Sequence, residues 1–320
     1  MSNRKPALDY IKWHINDNVK RETDNHYRTK LALKLRDKNP WEIISRLTFD
    51  SVAPNLELGE VRELFGWVDR KILNHGLKGV GVELGSGVGF MSSVIASLPS
   101  VEKVYAVEIV ENIVRDLSPK VIKFVLGNKT EKVTSCVGDF DYLGLADNQA
   151  DFVFDFFSLH HSPDLVKTLS EVFRVLKPGG FIFCFDKARS DRMSKEDLEK
   201  LLDKEYDPQT KILMGLPSRI SHTRRQNGER EYRWLDWQQA FSKAGFSSTK
   251  HFHLARIAGG WLAHLLKICL TLLPNKWQII FTNRWYRNKN YNDLELSDLL
   301  FCPPVKNFPK EISLMIAYKK

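Results

Sequence analysis

The sequence predicts an α/β fold, a doubly wound, mostly parallel sheet of seven strands. Three observations carry that expectation. Short apolar runs alternate with amphipathic helical stretches from Gly79 to Asp186. The run "DFVFDFF" is nearly continuous in apolar character, as expected of a strand covered on both faces. Four glycines, Gly81, Gly85, Gly87 and Gly89, crowd into "VGVELGSGVGF", where an apolar run meets a helical one.

The elements follow in chain order. The first fifty residues read as helical, because Leu8, Ile11, Ile15 and Val19 recur at helical spacing. Pro40 interrupts, and "PWEIISRLTFD" continues as a short helix. Residues 59–74 form an amphipathic helix that "NHGLKG" stops. Residues 1–75 thus make an N-terminal helical cap on a domain running from 76 to 320. In that domain "GVGVEL" is a strand and "FMSSVIASL" a helix, then "KVYAVEI" a strand and "VENIVRDLSPKVIKFVL" a helix. "KVTSCVGD" and "DFVFDFF" are strands. "PDLVKTLSEVFRVLK" is a helix halted by Pro178-Gly179-Gly180, and "GFIFCFD" is the fifth strand. "WLDWQQAFSKAGF" is a helix ending at Gly245, "STKHFHLARI" a strand, and "EISLMIAYKK" alternates like a final strand. Residues 187–232 and 257–308 break the pattern and read as insertions that form a lid over the sheet's carboxyl edge.

A strand entering a glycine-rich turn and then a helix is a device for holding a phosphate or carboxylate. A P-loop requires GxxxxGK[ST], which is absent. A dinucleotide loop requires GxGxxG, but Phe90 stands where its third glycine belongs. With Glu83 ahead of the cluster, the pattern is E-x-G-x-G-x-G.

"VELGSGVGF" resembles the first motif of class I S-adenosylmethionine-dependent methyltransferases, which have a Rossmann-like sheet. "VGDFDYL", "LHHSPD" and "RVLKPGG" follow in the family's order, the last two as in the subgroup of quinone-biosynthesis and natural-product enzymes. The resemblance covers about residues 76–186. It implies S-adenosyl-L-methionine as cofactor. Glu83 and the amides of Gly85, Ser86, Gly87 and Gly89 would surround its methionine end. Glu108, with Ile109 beside it, would take the ribose hydroxyls. Asp139 would meet the adenine amino group, and Phe140 and Phe156 would complete the pocket.

Transfer of a sulfonium methyl is an in-line displacement, so the protein must align a nucleophile and take its proton. His160 and His161 lie just past the fourth strand, at the edge where open sheets bind ligands. His161 is the first choice as base, because the family's commoner histidine falls there; either ring also suits pocket shaping or helix capping. Asp186 ends the fifth strand and suits orienting the substrate or the histidine, or capping the strand. The four cysteines are scattered without CxxC spacing, and no metal site is expected.

The acceptor must be selected by the insertions. "SRISHTRRQNGEREYR" offers Arg219, His222, Arg224, Arg225, Arg230 and Arg233 as a grip on an anion, or else an exposed loop with Glu229 and Glu231 interspersed. From Ile257 to Leu273 seventeen residues carry one lysine and one histidine. That segment suits a lid, a dimer contact, or peripheral membrane contact through 257–285. The net charge of +9 divides as +5 over residues 1–40, −5 over 41–180 and +9 over 181–320. Basic flanks suit anionic substrates, headgroups or nucleic acid. Without an RNA-binding module, nucleic acid is the less favoured partner. The expected activity is O-methylation of a small or lipid-linked metabolite; the alternatives are RNA methylation and noncatalytic cofactor binding. The polar N-terminus predicts a cytoplasmic chain, peripheral at the inner membrane surface if membrane-bound.

Overall fold

The computed structural model describes residues 10–24, 27–49, 57–255, 299–301 and 311–320, together with Cys269 and Trp277. A nine-stranded sheet organises them. Its strands are β1 (Ile11–Lys12), β2 (Gly79–Leu84), β3 (Val101–Glu108), β4 (Val133–Val137), β5 (Ala150–Phe156), β6 (Leu176–Asp186), β7 (Ser248–Ala255), β8 (Leu299–Phe301) and β9 (Glu311–Tyr318). The spatial order is β1-β4-β3-β2-β5-β6-β9-β7-β8. Only β9 runs against its neighbours, pairing antiparallel with β6 and β7.

The seven expected strands are all present, in the consecutive order β4-β3-β2-β5-β6-β9-β7. The count of seven is corrected at both edges. Ile11 pairs with Cys136, so a stretch expected to be helical is a two-residue strand beside β4. Its two side chains are exposed, so the apolar spacing that suggested a helix reflects no buried helical face there. At the other edge β8, inside the expected insertion 257–308, pairs with β7. The rest of that insertion, the apolar run 257–273 included, lies outside the described residues except Cys269 and Trp277.

Helices pack on both faces of the sheet. The α-helices among the described residues are α1 (Asp17–Asp24), α2 (Tyr27–Lys34), α3 (Pro40–Ile44), α4 (Leu58–Lys71), α5 (Phe90–Ala96), α6 (Glu111–Asp116), α7 (Ser118–Leu126), α8 (Leu165–Val175), α9 (Lys195–Leu202), α10 (Pro208–Leu213) and α11 (Trp234–Lys243). The single helix expected after β3 is two, because Pro119 favours a new first turn at Ser118. Helix α8 ends at Val175 rather than at the Pro-Gly-Gly, whose residues open β6 instead.

Each face of the sheet buries its own core. On one face Phe152, Phe154, Phe183 and Phe185 are fully buried. Phe154 and Phe183 are cross-strand partners whose rings stack at 5.4 Å between centroids. Burying each such ring contributes about 2 kcal/mol. Leu31, Leu35, Ile43, Ile44 and Phe65 from the N-terminal helices join that same cluster. The other face holds Val153, Ile182, Cys184 and Trp237 under α8 and α11. Because side chains alternate along a strand, Asp155 and Asp186 fall on this second face, at the carboxyl ends of adjacent strands.

Candidate functional site

The glycine loop follows β2. Gly85, Gly87 and Gly89 all have positive φ, at 66°, 53° and 73°, conformations that glycine adopts without strain. Gly85 is also packed. A methyl group there would stand 2.3 Å from Ser158 Oγ, whereas one on Gly87 would meet nothing within 4 Å. The loop is therefore closed on the β5 side and open at Gly87.

The loop amides are already committed. Ser86 N donates to Val107 O at 2.8 Å, Gly87 N to Glu108 Oε2 at 2.9 Å, and Gly89 N to Ser86 O at 2.9 Å. These three donors shape the loop. Glu108 Oε1 also accepts from Val110 N at 2.9 Å, so this buried acid ties the glycine loop to the turn after β3. A carboxylate has about four acceptor positions, and two remain for a ligand.

Glu83 is buried and accepts from the amide of Ser92 at 2.8 Å and from the Ser92 hydroxyl. Burial pushes its carboxyl up to about 8, and the nearby charge of Glu108 adds to the rise. Asp139 is buried; its Oδ1 accepts from Asp141 N at 3.0 Å and its Oδ2 from Asn16 N at 3.4 Å. The N-terminal segment thus reaches the loop after β4. Trp13 N donates to Val137 O at 2.8 Å, and its indole lies against Gly138 and Gly144.

His160 stands in a short 3₁₀ turn, Leu159–His161, and is buried. Its Nδ1 lies 2.7 Å from Asp186 Oδ1, and its backbone N donates to Asp186 Oδ2 at 2.9 Å. Burial alone would raise Asp186, but the His160 charge and hydrogen bond hold it below the ordinary range. The two histidines differ in their partners. The buried carboxylate pairs with His160, while His161 Nδ1 sits 3.2 Å from the Gly228 carbonyl. Spacing alone could not separate two adjacent histidines; the strand register that brings Asp186 beside the first of them could.

A cavity of about 350 Å³ joins these groups. Glu83, Gly85, Ser86, Gly87, Phe156, His160 and His161 line one side. Tyr27, Arg28 and Thr48 from the N-terminal elements, and Lys187, Tyr206, Arg224 and Glu229 from the insertion 187–232, line the other. Ile109 lines a second cavity of about 430 Å³, walled by the N-terminal segment. Gly89, Glu108, Asp139 and Phe140 line neither cavity.

The arginine-rich stretch is exposed at Arg219, Ser221, Arg225 and Gln226 and tied into the fold at its acids. Glu229 and Glu231 are buried. Lys187 pairs with Glu229 at 2.6 Å, Arg189 with Glu231 at 2.6 Å, and Arg224 with Glu231 at 3.0 Å. Arg225 pairs with Glu199 and Asp203, and Arg233 with Asp236. Burial would raise Glu229, but Lys187, His160 and Tyr206 bring it down to about 2. Lys187, Tyr206 and Arg28 were not foreseen as cavity residues, since no motif marks them.

Residues 82–184 match the family model described as a methyltransferase domain. The demethylmenaquinone methyltransferase of Staphylococcus saprophyticus is 31% identical over 124 residues, which cover 35% of this chain and 48% of that enzyme. The chain thus matches about half the length of that curated relative. A candidate sarcosine dimethylglycine methyltransferase from Galdieria sulphuraria shares the fold, with a TM-score of 0.50 at 15% identity over 81% of this chain and 86% of that one. A candidate methyltransferase from Bacillus halodurans gives a TM-score of 0.46 at 19% identity, over 82% and 99% of the two chains. The likeness to methyltransferases is thus carried by residues 82–184, where the chain is similar to a demethylmenaquinone methyltransferase; the glycine-loop motif there points to S-adenosylmethionine as the molecule to hold. The site fits that molecule. Among the described residues buried Glu83 has no cationic partner, a place an ammonium group would fill, and the space at Gly87 admits a ligand.

Proposed function

We propose that this chain methylates an oxygen of a small or lipid-linked acceptor, with His160 as the base. The observation that supports this reading most is that His160, which lines the cavity with Glu83 and the glycine loop, is paired with buried Asp186. S-adenosylmethionine supplies a methyl group already activated on sulfur. The protein's share is to place the acceptor and remove its proton. With Nδ1–H directed at Asp186, Nε2 is the nitrogen that takes this proton, and the carboxylate stabilises the imidazolium that forms.

Residues of the insertion 187–232 and of helix α2 line the same cavity as the glycine loop, which favours a lid that selects the acceptor. The name of the Staphylococcus saprophyticus relative makes a demethylated quinone the first acceptor to try. Among the described residues no helix is long and apolar enough to cross a membrane. For a lipid-linked acceptor, residues 257–285 are our choice for peripheral contact.

The test is incubation with methyl-labelled cofactor and a lysate, followed by separation into lipid, small-molecule, RNA and protein fractions. Label is expected in the lipid or small-molecule fraction. His160→Ala is expected to reduce its incorporation by about 100-fold or more while S-adenosylhomocysteine affinity is retained. Label in RNA would overturn the acceptor class, and near-normal turnover of His160→Ala would overturn the base.

A further inference from the structure

Beneath His160 lies a second buried acid that the proposed reaction does not use. Asp155 ends β5 with its side chain fully enclosed, one strand away from Asp186. Its Oδ1 accepts from the amides of Ser158 and Leu159 at 2.8 and 2.9 Å, the first two amides of the turn that carries His160. Its Oδ2 is buried and, among the described residues, accepts no hydrogen bond from an N–H or O–H donor. Asp186 offers its own oxygens to the His160 ring, the His160 amide and the Lys187 amide. The two acids end adjacent strands on the face that also buries Val153, Ile182 and Leu159, and their side chains interact there.

We infer that Asp155 is a positioning residue that stays a neutral acid, donating its proton to Asp186 while its other oxygen pins the His160 turn. The inference rests on His160 being the base of the proposed reaction. Two buried carboxylates in mutual reach cannot both ionise at modest cost. The proton belongs on Asp155, because Asp186 already has His160 and the Lys187 amide to balance a negative charge. Burial and the Asp186 charge hold the Asp155 carboxyl well above the ordinary range, in agreement with that placement.

The other groups around His160 do not supply this proton. Glu229 and Lys187 are paired with each other on the cavity side, and the His161 ring lies 4.4 Å from the His160 ring. Arg230 meets His160 through its backbone amide. Cys184 shares the layer, and burial and the neighbouring acids keep its thiol protonated. A neutral Asp155 thus does two jobs. It fixes the turn, and it directs the Asp186 carboxylate at Nδ1, which selects the tautomer with Nε2 free for chemistry.

Asp155→Asn, Asp155→Leu and Asp155→Ser separate these roles in the full chain loaded with S-adenosylhomocysteine. Asparagine can accept the same two amides and donate to Asp186, so it mimics the neutral acid. Asp155→Asn is expected to keep methyl incorporation within about threefold of wild type and to keep a single His160 tautomer in ¹⁵N-histidine spectra. Asp155→Leu and Asp155→Ser are expected to lose about tenfold or more in incorporation, with mixed tautomers and S-adenosylhomocysteine affinity within about threefold. Should leucine fail to fold, serine carries the comparison. The urea midpoint of Asp155→Asn minus that of wild type is expected to grow as pH rises from 4 to 8, because only wild type must keep a buried carboxyl protonated. Asparagine as damaging as leucine, a midpoint difference that does not grow with pH, or an unchanged tautomer in the leucine and serine variants would each overturn the inference. If His160→Ala kept full activity the base reading would fall, while the tautomer and midpoint results would still judge Asp155.

Discussion

Glu83→Gln isolates the acid beneath the glycine loop. Its carboxyl is pushed up to about 8 by burial. At pH 7 it is therefore ~90% protonated in the free protein. An ammonium group placed beside it would ionise it, so cofactor binding should release ~0.9 proton at pH 7. The same arithmetic makes affinity about fiftyfold weaker at pH 6 than at pH 8. Stability moves the other way. An acid whose folded-state pKa is raised favours the native state less as pH climbs from its unfolded value of 4.5 to about 8. At pH 7 that penalty is ~3 kcal/mol, from 1.36 kcal/mol per unit over two and a half units. Glu83→Gln should thus raise urea stability at pH 7 by up to that amount, with little change at pH 4, while weakening cofactor binding. Calorimetry of S-adenosylmethionine in phosphate and in Tris at pH 7 reads the released proton directly. A binding enthalpy independent of buffer in wild type, or the same buffer dependence in Glu83→Gln, would refute the reasoning.

Three further outcomes follow from the same geometry. Gly85→Ala drives a methyl group into Ser158 at 2.3 Å, whereas Gly87→Ala meets open space; thermal melts should show the larger loss for Gly85→Ala, and cofactor titration should show weakened binding for Gly87→Ala at modest melting cost. Lys187→Met removes the 2.6 Å partner of buried Glu229 and should cost about 2 kcal/mol in urea unfolding; a loss below about 0.5 kcal/mol would mean that Arg224 and Tyr206 suffice. Gly144→Ala places a methyl group 2.4 Å from the Trp13 indole; hydrogen exchange at the Trp13 amide should quicken by about tenfold, and unchanged exchange would show that the indole simply shifts.

The seven central strands were legible because parallel strands covered on both faces are short, apolar and bounded by glycine or helix. The glycine loop was legible because positive φ demands glycine at Gly85, Gly87 and Gly89. What stayed hidden depends on contacts distant in sequence. Ile11 and Lys12 pair with β4 through backbone groups, which leave no side-chain signature. Asp155 reads as a polar interruption in an apolar strand, and only the β5–β6 register, which pairs it with Cys184, sets it on the face and at the strand end that Asp186 shares. Glu229 and Glu231 read as surface acids, since burial of a charge becomes visible only when Lys187, Arg189 and Arg224 are seen closing on them. His160 and His161 carry identical local signals; the turn and the strand end tell them apart.

The charge distribution changes meaning in the same way. The last 140 residues carry a net +9, which by itself suits an anionic partner. Yet the cations of residues 187–233 that reach the cavity are paired inside the fold: Lys187 with Glu229, and Arg224 with Glu229 and Glu231. A buried pair that has already met its desolvation cost is poorly suited to exchanging its partner for a ligand anion, because the displaced carboxylate would be left uncompensated. The positive wall of the cavity therefore acts first as scaffold, fixing Glu229 near His160 and holding Tyr206 against it. On the function proposed above, such a wall favours an acceptor recognised by its shape and its hydroxyl over one recognised by its charge, and it is for such an acceptor that His160, held by Asp186, would have most to contribute as the proposed base.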